Sequence, residues 1–466
     1  METSFKVRLH SIEERRNTAR VTWWVETLRF RESFSEIELA KGFHGQLDAA
    51  KRKGEAFRLS DGLPVSMARK TKACTWITFA KSYVEFRWND SSPGHRRNIV
   101  EALTSATIGM LSTNRGKPDD RLFAAAMRFM LNLKTRDQEP PENFRETIRW
   151  IEQNTRQVAD ISQPKVLLGV LGKIGEKQDG TKAAASTTRR KRMTLTNALD
   201  YAVICEFLTV NPLPHLKAAK PKKGKHIRPI DRRVVANPIQ VGTLLYHVRQ
   251  TGKAGPRLVA YFGSMVYAGL RPEEAACLSK DDLALPKVGW GDLHIHEAAP
   301  EVGKDWTDSG LHAEKRELKH REPGEVRIVP CPPELTALLW WHLETFGTAP
   351  DGRLFRGARD GGRIGSTVYG RAWANVRDLA FTPEVAASPL VRRPYDLRHT
   401  WVSTLLAAGV DPPLIAEWAG HSLRVLMEIY AQVLDGSRIA AQHKIDALFG
   451  RKVGGQMGDE HPPAAA

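Results

Sequence analysis

Hydrophobic and polar positions change period several times along the chain, and each change predicts a different kind of element. Near the N-terminus VRLH and ARVTWWVETLRF alternate apolar and polar residues, as half-buried strands do, so two or three strands are expected there. SEIELAKGFHGQLDAAKRKG follows with helical spacing and reads as one amphipathic helix. Residues 1–60 are therefore expected to form a small sheet-and-helix module. Its Arg and Lys at polar positions could lay a sheet in a DNA groove, and a plain structural cap fits the pattern equally well. LSDGLPVSMARK, Leu59–Lys70, is rich in Gly, Pro and charge and reads as a first linker.

From residue 71 to 215 the pattern is helical throughout. WITFAKSYVEFRW, GHRRNIVEALTSATIGML, DRLFAAAMRFMLNL, ENFRETIRWIEQNT and TNALDYAVICEFLTV each carry apolar residues at helical spacing. Basic residues recur at expected helix starts and connections, at His95-Arg96-Arg97 and Arg189-Arg190-Lys191-Arg192. Residues 216–236 form a second, basic linker: positions 217, 220, 222, 223, 225, 228, 232 and 233 are Lys or Arg, against one acid, Asp231. Such a run is too polar to fold by itself and suits a phosphate backbone. Residues 237–450 mix the two periods. IQVGTLLYHVRQ, PRLVAYFGSMVYAGL, PELTALLWWHLETFG and STVYGRAWANVRDLA read as helices, DLHIHEA and EVRIVPCP as two strands, and 396–408, 412–419 and 422–434 as a closing run of helices. The tail, 451–466, is expected to be disordered. The fold class is thus α+β, mainly helical.

Charge sharpens this picture. The 466 residues carry 70 Lys and Arg against 53 Asp and Glu, a formal net charge of +17, which makes nucleic acid the first partner to consider. The four cysteines, Cys74, Cys205, Cys277 and Cys331, are far apart and show no metal-ligand spacing, so neither structural zinc nor a disulfide framework is expected. The N-terminus lacks the apolar core of a signal peptide, and no apolar run reaches the roughly 18–20 residues a membrane helix needs. A cytoplasmic, nucleoid-associated protein with no membrane partner is expected.

Candidate chemistry gathers late in the chain. Arg271 stands in YAGLRPEEAACL, where one helix should end at Gly269 and another begin at Pro272, a place suited to a bound phosphate. Lys319 lies in RELKHREPGEVRIVPCP, at the start of an expected hairpin whose second strand is EVRIVP, with Lys315 and His320 as competitors for any proton-donating role. Tyr395 and Arg398 share a face at a helix start, His421 follows Gly420 before the last helix, and Tyr430 sits at the edge of that helix's apolar stripe. No cluster of acids is spaced like a two-metal site.

The order of these boxes resembles the tyrosine recombinases, the integrases of phages and mobile elements. GLRPEEAACL is similar to that family's first arginine box, YDLRHTWVSTLLAAGV to its second, and WAGHSLRVLMEIYAQV to the segment running from its His/Trp position to the tyrosine. The wording RPYDLRHT…AEWAGHS is similar to integrases of actinobacterial phages and integrative elements. The resemblance implies that 1–60 is a module that could bind arm sites, 71–215 a core-binding domain and 237–450 the catalytic domain. It further implies that Tyr430 attacks the scissile phosphodiester to give a 3′-phosphotyrosine and a free 5′-hydroxyl. Arg271 and Arg398 would clamp the non-bridging oxygens, His421 would hydrogen-bond the phosphate, and Lys319 would protonate the leaving oxygen. No cofactor or metal is implied.

The partners implied are double-stranded DNA attachment sites and three further copies of the chain in a tetramer on DNA. An excisionase or a host DNA-bending factor would be accessory. One position departs from the family, whose second box usually reads His-x-x-Arg: here its first residue is Tyr395. A phenol near pKa 10 does not accept a proton at neutral pH as an imidazole does. Either Tyr395 orients the phosphate or Arg398, or another group is the base; His399, about 100° round the helix from Arg398, is a weak substitute on that angle. Two other readings share parts of the pattern: a type IB-like topoisomerase, and a non-catalytic DNA-binding regulator on the same scaffold.

Overall fold

The computed structural model describes residues 2–15, 18–34, 36–59, 61–67, 71–216, 229–318, 324–357, 361–430, 442–443, 445–446 and 448. The chain divides into two compact units: Met1–Lys222 with Lys304–Gly310, and Lys223–Gly303 with Leu311–Ala466. It is α+β and mainly helical, as expected.

The first unit begins with strands β1 (Thr3–Ser4), β2 (Val7–Leu9), β3 (Glu13–Arg15), β4 (Thr18–Val25) and β5 (Leu28–Phe34), then helix α1 (Ile37–Arg52) and strand β6 (Phe57–Arg58). All pairings are antiparallel. Strand β4 is central, with β5 along one edge and β2 and β3 along the other. ARVTWWVETLRF is therefore two strands joined at a turn that Glu26 enters with φ 55°. Ala19, Val21, Trp23 and Val25 all point into one core, and Ala40, Leu47 and Ala50 of α1 cover it. Period 2 on the strand meets period 3.6 on the helix, which is why this stretch folds as a layer of each.

The expected first linker is corrected in part. Leu59, Leu63 and Met67 pack against this same core, and Asp61 is buried with Arg58, which donates to it through Nε at 3.0 Å and Nη2 at 2.6 Å. Trp23 Nε1 donates to the Gly62 carbonyl at 2.6 Å, and a Cβ at Gly62 would lie 2.4 Å from the Phe30 ring. The Gly and Pro content marks a tight turn folded under the sheet, not a tether. Residues 68–70 lie outside the described residues.

The rest of the first unit is helical: α2 (Trp76–Trp88), α3 (Pro93–Gly109), α4 (Asp120–Leu131), α5 (Glu142–Gln153), α6 (Pro164–Ile174) and α7 (Ala185–Ile204). Thr75, Ser92 and Asp119 cap α2, α3 and α4 with side-chain oxygens, satisfying backbone N–H groups that a helix start leaves free. The helices expected from the sequence do not include α6, which packs closely on α3; a Cβ at Gly109 would meet Val170 Cα at 2.5 Å. Arg189–Arg192, expected in a connection, lies inside the twenty-residue α7.

The second unit opens with α8 (Pro238–Gln250), α9 (Gly255–Tyr267) and the single turn α10 (Pro272–Ala275). Strands β7 (Leu283–Ala284), β8 (Gly291–Ile295), β9 (Glu297–Ala298), β10 (Arg316–Glu317) and β11 (Arg327–Cys331) follow. The sheet has the order β11-β8-β7, and β9 pairs separately with β10. The hairpin expected around Lys319 is thus different: β11 pairs with β8, and the strand before Lys319 pairs with β9, not with EVRIVP. Helices α11 (Pro333–Phe346), α12 (Ser366–Ala380), α13 (Pro383–Ala387), α14 (Tyr395–Ala407), α15 (Pro412–Ala419) and α16 (Leu423–Tyr430) follow.

One large core joins α8, α9, α11 and α12 to the sheet. A second cluster, Trp401, Val402, Leu406, Ile415, Ala416, Ala419, Leu426 and Tyr430, holds α14, α15 and α16 together, with Ile230 against it. Ile230 N donates to the Ile429 carbonyl at 2.8 Å, tying residues near the entry of the second unit to α16. Most of the expected basic linker, 217–228, and the whole tail, 451–466, lie outside the described residues.

Candidate active site

Two glycines let the second unit bring its basic residues together. Gly269, at φ 62°, ends the turn after α9, and the Trp401 indole of α14 lies against it; a Cβ there would sit 2.2 Å from the ring. Only a residue without a side chain can both adopt that dihedral and accept that approach. The chain then reaches Arg271, the N-cap of α10, with Pro272 at the first helical position. Gly420, at φ 61°, ends α15 in the left-handed conformation. A Cβ at Gly420 would lie 2.7 Å from Arg327 Nη1 and 3.4 Å from Arg271 Nη1.

Arg271 Nη2 donates to the Gly420 carbonyl at 2.9 Å, and its Nη1 donates to Glu274 Oε1 at 2.6 Å. Arg398 is wholly buried in α14. Its Nη1 donates to the Gly269 carbonyl and its Nη2 to the Ala419 carbonyl, and Nη2 also lies 3.0 Å from His421 Nε2. A guanidinium has no acceptor, so Nε2 accepts, and the proton of a neutral His421 ring sits on Nδ1. The ring is neutral: burial, then the charges of Arg398 and Arg271, push it down to about 3. Among the described residues, Nδ1 of His421 and Nε of Arg398 are both buried without a hydrogen-bond partner.

Two residues absent from the sequence-based set hold this arrangement. Glu274, 2% exposed, takes Arg327 Nη1 at 2.9 Å and Nη2 at 2.6 Å, as well as both the backbone N–H and the side chain of Arg271. Burial alone would raise its carboxyl. The charge and hydrogen bonds of Arg327, with Arg271 and Arg398 behind them, outweigh that and keep it well below the ordinary carboxylate range. A signal for Arg327 was present: on β11, residues 327, 329 and 331 face inward, so an arginine occupies a core position of a period-2 strand. Two guanidiniums thus bond one carboxylate, and the charge of a third, Arg398, reaches it.

Tyr430 is 1% exposed at the end of α16. Its Oη lies 2.7 Å from His399 Nδ1. Burial raises the phenol's pKa, while the charges of Arg398 and Arg271 reach it and act in the opposite sense. The Tyr395 ring stands 5.1 Å from the His399 ring at 72°. Arg271, Tyr395, Arg398, His421 and Tyr430 therefore belong to one neighbourhood. Lys319 and its competitor His320 lie outside the described residues, and the other competitor, Lys315, is ion-paired to Glu297 at 2.8 Å.

No family model matches the chain. It is 33% identical over 175 residues to the tyrosine recombinase XerC of Mesorhizobium japonicum, covering 35% of this chain and 50% of that protein. The chain is a relative of the tyrosine recombinases. To the tyrosine recombinase XerD of Lacticaseibacillus casei it is 23% identical over 285 residues, 59% of this chain and 82% of that relative. Measured on the XerC match, the chain spans about half the length of its tyrosine recombinase relative. Among solved structures, the Tn1549 transposon integrase in complex with a circular intermediate DNA superposes with a TM-score of 0.49 at 16% identity, over 69% of this chain and 98% of that one.

Proposed function

We propose that this tyrosine recombinase relative is a site-specific DNA strand-transferase that cleaves and rejoins DNA through a 3′-phosphotyrosine, integrating a mobile element. The observation that carries this reading is the electrostatic imbalance beside Tyr430. Arg271 and Arg327 bond a single carboxylate, Glu274, which Arg398 reaches through its charge, and among the described residues the neighbouring Arg398 Nε and His421 Nδ1 are buried donors without partners. Uncompensated buried cations and orphaned donors are costly, and an anion with several acceptor oxygens relieves both. A phosphodiester is such an anion.

In this reading Arg271 and Arg398 hold the non-bridging oxygens and offset the charge that grows in the pentavalent transition state. His421 donates Nδ1–H to the phosphate. Tyr430 Oη attacks phosphorus, and the 5′-oxygen leaves with a proton from an acid, the role assigned to Lys319. The covalent link keeps the phosphate activated for rejoining, and the fixed guanidiniums supply the stabilisation that metal ions supply in other phosphoryl transfers. Double-stranded attachment sites are the substrate, bound by a tetramer of this chain, with the net charge of +17 supporting attraction to the backbone. The 1–60 module, the 71–215 core-binding domain and the basic linker 216–236 would grip DNA outside the reacting phosphate, and the protein would work at the nucleoid.

The test is covalent trapping. A duplex carrying a nick next to the crossover loses its short 5′-hydroxyl strand after cleavage, so the protein should remain attached to DNA through a denaturing gel. Tyr430→Phe should give no adduct while still binding the duplex. An adduct undiminished in Tyr430→Phe would show that this tyrosine is not the nucleophile.

A further inference from the structure

We infer that His399 is the catalytic base that takes the proton from Tyr430 as the phenol attacks phosphorus. This rests on the strand-transferase reading and supplies what that reading lacks, a proton acceptor where the second box begins with Tyr395. His399 Nδ1 is 2.7 Å from Tyr430 Oη, within the distance a general base needs. Among the described residues, no other hydrogen bond reaches Tyr430 Oη.

The direction of that hydrogen bond follows from the surroundings. Burial keeps the phenol protonated, so Oη–H donates. Burial, with the charges of Arg393 and Arg398 opposing that of Asp396, pushes the His399 imidazole down to about 4, so it is neutral at physiological pH with its lone pair on Nδ1. A proton on Nε2 completes the ring. This tautomer is the one a base must have.

Geometry along α14 explains how the imidazole takes over from position 395. Residues 395 and 399 are four apart on one helix, hence on one face, one turn from each other. The Tyr395 ring packs edge-on against His399 at 5.1 Å, which steers the imidazole toward Tyr430. An imidazole so far below its ordinary range is a weak base at rest. Two changes correct this during the reaction. The incoming phosphate offsets the cations, Arg398 among them, that depress the ring. And the proton on Oη becomes far more acidic as the oxygen bonds to phosphorus, so transfer accompanies attack.

The step balances. The Oη–P bond forms, the P–O5′ bond breaks, the Tyr430 proton moves to His399 Nδ1, and the 5′-oxygen takes a proton from the separate acid. In rejoining, the 5′-hydroxyl attacks phosphorus and gives up its proton to that acid's conjugate base. The Oη–P bond breaks, and the imidazolium returns its proton to Oη.

The experiment uses the full chain and a duplex selected for tight binding from a random-sequence pool, prepared as a panel with nicks at successive positions. Adduct formation is timed for wild type, His399→Asn, His399→Ala and Tyr430→Phe, each first shown to bind the unnicked duplex. Asparagine can still accept a hydrogen bond from Oη and so keeps the packing, but it cannot take the proton. The expected result is a fall of about 100-fold or more in both His399 variants, as loss of a general base gives, with His399→Ala partly restored by added imidazole. Adduct formation by His399→Asn within about threefold of wild type would overturn the inference while leaving the strand-transferase reading intact. Absence of any wild-type adduct across the panel, or an undiminished one in Tyr430→Phe, would overturn the reading itself and the inference with it.

Discussion

Glu274→Gln removes one charge from the centre of the second unit and keeps nearly the same shape. The carboxylate accepts four hydrogen bonds, at 2.9 and 2.6 Å from Arg271 and at 2.9 and 2.6 Å from Arg327. Arg327 is 1% exposed and has no water to fall back on. A glutamine amide offers one acceptor oxygen and turns its NH2 toward donors, so at least one arm of the Arg327 fork loses its partner. Removing one member of a buried ion pair costs about 3–5 kcal/mol, and two guanidiniums depend on this carboxylate, which argues for the upper part of that range. For a unit of this size that corresponds to a fall of about 6–20 °C in the thermal midpoint.

The pH dependence gives a sharper check than the midpoint alone. The folded-state pKa of Glu274 is depressed, so its contribution is fully present above the unfolded value of about 4.3 and is lost as pH falls below it toward the folded value. Calorimetric unfolding of wild type and variant should therefore show a constant gap between pH 7 and 5 that narrows below about pH 4.3. A gap under about 1 kcal/mol at pH 7 would fall outside the range for a broken buried pair and refute the reasoning. So would a gap that widens with acid.

Three further outcomes are expected. Gly269→Ala places a Cβ 2.2 Å from the Trp401 ring at φ 62° and should destabilise the second unit by more than about 1 kcal/mol in denaturant titration, through steric strain and an unfavourable dihedral together; an unchanged midpoint would mean the turn relaxes freely. Adduct formation on nicked duplex should proceed undiminished in excess EDTA, and an absolute requirement for Mg²⁺ would overturn a mechanism that relies on fixed guanidiniums. Replacing the Lys and Arg residues between 217 and 233 with glutamine should weaken binding to all duplexes alike and flatten the dependence of log K on log salt by nearly one unit for each phosphate no longer neutralised; an unchanged slope would show that the segment touches no phosphate.

Much of this fold was legible because period and punctuation agree. Alternation in β4 and helical spacing in α9 and α14 each correspond to a face buried in a core. Gly269, Arg271 and Pro272 mark the end of one helix and the start of another. The misreadings have local causes. LSDGLPV has the composition of a linker, yet the buried pair of Arg58 with Asp61, the Trp23 bond to the Gly62 carbonyl and the packing of Leu59 and Leu63 hold it under the sheet, and composition does not report pairing. EVRIVP has the alternation of a strand, but alternation does not name its partner, and β11 pairs with β8 across an insertion of thirty-one residues (296–326). Arg327 stood in plain view at an inward position of that strand.

His399 illustrates a different kind of limit. Judged by its angle from Arg398, about 100°, it was a poor stand-in for the missing histidine. That comparison measures the wrong pair. The position to be replaced is Tyr395, and at four residues' spacing His399 is rotated by only about 40° from it, displaced by one turn along the same face. The 100° separation from Arg398 then serves a purpose. It turns the guanidinium toward the carbonyls of Gly269 and Ala419 and toward His421, while the imidazole meets Tyr430 from α16. A helix that presents phosphate-binding and proton-accepting groups to different neighbours needs them on different faces. Sequence spacing states those faces, but only the packing of α16 on α14 says which of them the nucleophile approaches.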